Sequence, residues 1–154
     1  MPMSAELRDL LLGIAYPGEP VDSTATLGDA YAVALRADRR AVETLLATRL
    51  SVDPASLPDY YRLYFSMPWS RIYTLNVDDL EVAVANRFNL TRRLVPVVAT
   101  GNDGTERSTA AGPSLEVIHL NGMIGGAPER LTFSEQQYAE RSVAHDSWYA
   151  RCAA

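Results

Sequence analysis

Trp69-Ser70-Arg71-Ile72-Tyr73-Thr74-Leu75-Asn76-Val77-Asp78-Asp79-Leu80 is the stretch whose reading decides the fold. Arg71 to Leu75 is a short β-prone run that alternates only loosely, as a strand covered on both faces does. It stops at Asn76, and helical spacing begins at once, with Val77, Leu80, Val84 and Phe88 on one face. Asn76 or Asp78 can cap that helix, because a side-chain oxygen there accepts from the unpaired N–H groups of the first turn. A strand that ends in polar residues at a helix N-terminus is where open α/β sheets place ligands.

Beyond this stretch, Leu94 to Val98 reads as a second strand, and Pro96 within it suggests an edge or irregular position. Gly101 to Pro113, rich in Gly, Ser, Thr and Asp, reads as a flexible loop. Leu115 to Leu120 is a third strand that ends in Asn121-Gly122, followed by a glycine-rich turn and a short extended piece at Leu131-Thr132-Phe133. Ser134 with Gln137 forms a capping box for a helix to about Arg141, and His145 to Arg151 reads as a last helix. Before the central strand the pattern is helical: Ser4 opens a helix carrying Leu7, Leu10, Leu11 and Ile14, and Pro17-Gly18 stops it. Thr26 to about Arg36 follows, then a helix capped by Asp38, then a short aromatic helix from Asp59 to Ser66.

The order is helices first, then strand–helix–strand–loop–strand–helix, which predicts a parallel α/β sheet with a helical insertion. The expectation is a single domain over residues 1–154, with a helical part at 1–67 and a strand–helix–strand core at 68–154. With three strands and a helix at the start, it reads as a partial Rossmann-like sheet, truncated at both ends.

Composition narrows the chemistry. The 154 residues are 47% hydrophobic and 21% charged, ordinary for a globular domain. Nineteen acidic against fourteen basic residues give a net charge of -5, which argues against nucleic acid as a direct partner. Every basic residue is Arg, which removes Schiff-base chemistry and the phosphate-loop lysine. One cysteine, Cys152, and two histidines, His119 and His145, predict no metal site. The absence of a long apolar run or a signal peptide points to a cytoplasmic protein with no membrane partner.

Two strand ends carry polar residues, Thr74-Leu75-Asn76-Val77-Asp78 and His119-Leu120-Asn121-Gly122, and in a parallel sheet both reach the same edge. Here the sequence resembles the sirtuin-like NAD-consuming domains, in particular the bacterial branch found in antiphage-defence proteins. The family's Thr-x-Asn-x-Asp signature matches Thr74, Asn76 and Asp78, preceded by Pro68-Trp69-Ser70-Arg71-Ile72-Tyr73. A second strand end and a Leu131-Thr132-Phe133-Ser134 segment with Tyr138 follow in the family's order. The resemblance covers Pro68 to Arg141. Three departures accompany it. Nothing matches the family's opening strand and Gly-Ala-Gly loop, the later strands are absent, and Asn121 stands where the family has histidine.

The resemblance implies hydrolysis of the nicotinamide–ribose bond of NAD, with NAD as substrate and no zinc, since one cysteine cannot form the deacylases' four-cysteine module. It implies Asn76 as the residue that orients ribose or water, with Asp78 fixing the loop. Asn121 takes the base position without imidazole's proton transfer, and Thr74 and Gly122 border the nucleotide. His119, two residues before Asn121 on the same strand face, is the alternative base. It also implies a partner domain or a homo-oligomer. The other expectation, from Asn121 and the missing glycine loop, is an inactive NAD-binding or regulatory fragment.

Overall fold

The computed structural model describes residues 4–20, 22–99, 112–126, 128–144 and 146–153. Most of the expected loop at Gly101 to Pro113, and His145, lie outside these residues. Helices α1 (Ser4–Ala15), α2 (Leu27–Ala37), α3 (Arg39–Leu50) and α4 (Tyr60–Ser66) precede strand β1 (Arg71–Thr74). Helix α5 (Leu80–Arg87), strands β2 (Arg93–Val98) and β3 (Ser114–His119), and helices α6 (Glu135–Ala144) and α7 (Asp146–Ala153) follow.

The strands form one parallel sheet in the order β1-β3-β2. The fold is therefore mixed α/β, with a small parallel sheet and a helical N-terminal part. From β1 the chain passes through α5 to the far edge and then returns to place β3 in the middle. Pro96 sits in an edge strand, opposite Val117, where a missing N–H is tolerated. Both faces of the sheet are covered. Leu115 and Val117 pack with Leu57, Phe65, Ala83 and Val84 from the α4–α5 side. Ile118 and Leu120 pack with Ala99 and Trp148 of α7 on the other. Alternate side chains of β3 thus enter two different cores, which explains its weak alternation in hydrophobicity. Across one strand pair, Arg71 Nε donates to Glu116 Oε2 at 2.8 Å.

The helical part has its own core of Leu7, Leu11, Tyr31, Val42 and Leu46, closed by Leu131. Val77, Ile124 and Phe133 also pack against it, so α1–α3 lie over the loops that follow β1 and β3. Tyr31 is fully buried, its hydroxyl donates to the Pro128 carbonyl, and its ring lies 4.7 Å from Phe133. Gly28 permits this approach, because a Cβ there would meet Ser134 Cβ at 2.3 Å.

Local signals hold at several helix starts. Thr26 and Asp29 form a capping box on α2, Asp38 accepts from Ala41 N–H on α3, and Ser134 with Gln137 caps α6. Helix α5 differs from expectation. It begins at Leu80, three residues after Val77, with Asp79 at the cap position. Of the two expected caps, Asp78 accepts from Leu80 N–H, the first helical residue, through Oδ1 at 3.2 Å, while Asn76 lies outside the first turn. Asp79, at the cap position, makes no side-chain cap and instead takes Ser51 Oγ and Val52 N–H, both at 2.7 Å. That tie to the helical part holds residues 76–79 in a loop. Leu131 to Phe133 enters no strand, because Leu131 is drawn into the helical core. Among the described residues, no helix is long and apolar enough to cross a membrane.

Candidate functional site

The parallel register places Thr74 beside His119, so the β1 and β3 ends emerge side by side. Leu120 N–H continues the ladder onto the Thr74 carbonyl at 2.9 Å. One residue further on, Asn121 Nδ2 donates to the Leu75 carbonyl at 3.0 Å. The two polar strand ends are thereby joined by hydrogen bonds.

Asn76 is exposed at the tip of β1. Its backbone N–H donates to Thr74 Oγ1 at 3.0 Å, and its carbonyl accepts from His119. Among the described residues its side-chain amide makes no hydrogen bond, so it is presented to whatever occupies the strand ends. Thr74 therefore acts on the shape of the Asn76 turn. Asp78 is only 5% exposed, and its Oδ1 accepts from Leu80 N–H at 3.2 Å. Burial raises its carboxyl above the ordinary range, as do the nearby Glu81 and Asp79 charges, against the Leu80 hydrogen bond and His119.

His119 lies under this loop with no exposed surface. Its Nδ1 is 3.0 Å from the Asn76 carbonyl, which can only accept, so Nδ1 carries a proton. Its Nε2 is 3.2 Å from Glu81 Oε1, and Glu81 is 2% exposed. Burial pulls the His119 ring down in pKa, yet the hydrogen bond and charge of Glu81, the Asn76 carbonyl and the Asp78 charge outweigh it. The net shift is upward. An imidazolium with a donor to each oxygen satisfies both contacts. Both ring nitrogens are engaged inside the protein, so His119 braces the Asn76 loop and has no nitrogen to offer a water.

Asn121 is half-buried. Its Oδ1 is a buried acceptor with no partner among the described residues. Gly122 has φ +86°, and a Cβ there would lie 2.6 Å from the Arg130 carbonyl. Glycine is thus required by the turn and by the close approach of the Arg130–Leu131 segment. Thr132 N–H donates back to the Asn121 carbonyl at 3.0 Å.

No family model, no curated protein and no solved structure matches this chain.

The structure brings together Thr74, Asn76, Asp78, His119, Asn121 and Gly122. Of these, Asn76 presents its side-chain amide at the strand ends, Asn121 lies beside it with Nδ2 on the Leu75 carbonyl and Oδ1 buried, and Asp78 and His119 sit beneath. Sequence reasoning missed two participants. Glu81 carried a signal, since a carboxylate between Val77 and Val84 at helical spacing lies on a buried face and needs a partner. Arg141 carried none that set it apart from the other arginines. Its guanidinium donates to the Leu120, Arg130 and Ala99 carbonyls, the last two at 2.8 Å. Tyr138 packs edge-on against Tyr149 at 5.7 Å, a contact within the α6–α7 pair. Among the described residues, no group of His, Cys, Asp and Glu could hold a metal ion.

Proposed function

We propose that this chain is a sirtuin-like NAD-consuming domain whose sheet is part of a Rossmann-like arrangement. On this reading it holds NAD at the β1 and β3 ends and cleaves its nicotinamide–ribose bond. The observation that carries the reading is the pairing of an exposed Asn76 amide, unengaged among the described residues, with the buried, orphaned Asn121 Oδ1 across one hydrogen-bonded junction. The orphaned acceptor lacks a donor that a ribose hydroxyl or a water would supply once the Asn121 side chain turns towards the strand ends, and the exposed Asn76 amide can both donate and accept.

In the step, the C1′–nicotinamide N1 bond breaks with its electron pair leaving on nicotinamide, and C1′ becomes oxocarbenium-like. Water then adds at C1′ and releases a proton to solvent. Asn76 orients the ribose or the water, and Asn121 holds a hydroxyl. Asp78 and His119 are positioning residues that hold the loop from below. Such a centre depends on placement more than on a strong nucleophile. Without an imidazole in the base position the rate is lower by about 10²–10⁴.

A second reading, NAD binding without turnover, is favoured by one observation: both His119 nitrogens are already engaged. Thermal protection by NAD together with chromatography of released nicotinamide separates the two. The expected result is protection with slow release, faster in Asn121→His. Protection without release, in both proteins, would leave the binding module. The antiphage-defence setting and a partner domain or homo-oligomer rest on the resemblance alone.

A further inference from the structure

A cleft of about 300 Å³ opens beside the β3 end, lined among others by Arg130, Thr132, Gln137, Glu140 and Arg141. Its chemistry is donor-rich. Arg141 gives three N–H groups to neutral carbonyls, and the Tyr149 hydroxyl lies within hydrogen-bonding reach of the same guanidinium. A guanidinium has five N–H groups, so at least one remains. Among the described side chains no carboxylate acts on Arg141, although the side chain is half-buried. Arg130, exposed on the same cleft, adds a second positive charge near enough to disfavour the charged Arg141 further, after burial itself.

The neutral groups point the same way. Gln137 Oε1 accepts from Phe133 and Ser134 N–H, at 2.9 and 3.0 Å, and its NH2 group makes no hydrogen bond among the described residues. Thr132 adds a hydroxyl. The one carboxylate on the lining, Glu140, accepts from Gln136 Nε2 at 2.9 Å, one turn away on the exposed side of α6. Two guanidiniums, an amide and a hydroxyl against one carboxylate form a surface that gains from an anion with several oxygens.

We infer that this cleft binds the diphosphate of a nucleotide. Its position suits that ligand: Asn121 donates to Leu75 on the Asn76 side and accepts from Thr132 on the cleft side. A dinucleotide with its ribose at Asn76 would thus run its diphosphate past Asn121 towards Arg130 and Arg141. The cleft would supply by side chains what a glycine-rich loop supplies by backbone N–H groups elsewhere. The inference rests on the NAD reading only for the identity of the nucleotide.

Calorimetric titration of the whole chain with ADP, inorganic pyrophosphate and nicotinamide riboside tests it, alongside Arg130→Gln and Arg141→Gln. ADP and pyrophosphate are expected to bind, with affinity falling as salt rises. Arg130→Gln, whose side chain is exposed and whose carbonyl role is untouched, is expected to weaken both by about 10-fold or more. Arg141→Gln tests the second charge if it melts cooperatively; Arg130→Gln decides the matter if it does not. Equal binding of ADP and pyrophosphate by wild type and Arg130→Gln, or no binding of either, would overturn the inference. Binding of both without nicotinamide riboside binding or NAD cleavage would uphold the diphosphate site and remove the NAD reading. The reverse pattern would do the opposite.

Discussion

Replacing Glu81 with glutamine tests the buried pair beneath Asn76 while keeping its volume. In the wild type His119 donates to the Asn76 carbonyl and to Glu81, and its protonated form is favoured in the fold. A histidine held above its ordinary pKa stabilises the fold fully below about pH 6.5, and loses that contribution as pH rises through the folded value. Wild-type stability should therefore decline from pH 6 towards pH 8. In Glu81→Gln the ring can turn neutral, keep Nδ1–H on Asn76 and accept from the glutamine amide through Nε2. The expected cost is about 1 kcal/mol, with a flatter pH dependence. His119→Ala is different, because it leaves a buried carboxylate without its partner, and about 3–5 kcal/mol is expected. At a urea slope of about 2 kcal/mol/M, that loss moves the midpoint by roughly 2 M. Urea titrations of the three proteins at pH 6 and pH 8 measure both effects, and His145 is common to all of them. A Glu81→Gln protein that keeps the wild-type slope would refute an imidazolium at His119. Equal costs for the two substitutions would refute the asymmetry of the pair.

Three other substitutions probe the frame around the site. Gly122→Ala meets both a positive φ and the Arg130 carbonyl, so a loss of about 1–3 kcal/mol is expected in chemical denaturation. Gly28→Ala would press on Ser134, and a similar loss of about 1–3 kcal/mol would show that the helical part seats on the loop after β3. Asp78→Asn keeps an acceptor for Leu80 N–H and removes a charge that burial disfavours. Its melting temperature at pH 7 should be equal to or above wild type, and a clear fall would mean that the Asp78 charge itself holds the loop.

Much of the frame was legible because its signals are local. Thr26, Asp38 and Ser134 announced helix starts, and Pro96 announced an edge or irregular position that the structure makes an edge strand, since each acts within a few residues of itself. The loop at 76–79 was not legible. Its length depends on Asp79 reaching Ser51 and Val52, a contact across 27 and 28 residues that no periodicity reports. Strand order was likewise hidden, because the pattern of β3 admits a central or an edge place. At the site, the approach of Asn76 and Asn121 followed from parallel strands ending together. The engagement of His119 by Glu81 did not, because it needs α5 to cross the sheet at one particular height. Arg141 was invisible for a similar reason: its partners are backbone carbonyls, which every sequence possesses.

The most direct measurement is nicotinamide release from saturating NAD by the purified chain, with Asn76→Ala measured in parallel at matched stability. Asn76 carries no structural hydrogen bond through its side chain among the described residues, so the substitution should leave the fold intact. Slow release by wild type that disappears in Asn76→Ala is the expected result. No release from a cooperatively folded wild type, or equal release from both proteins, would contradict an NAD-cleaving site at the ends of β1 and β3.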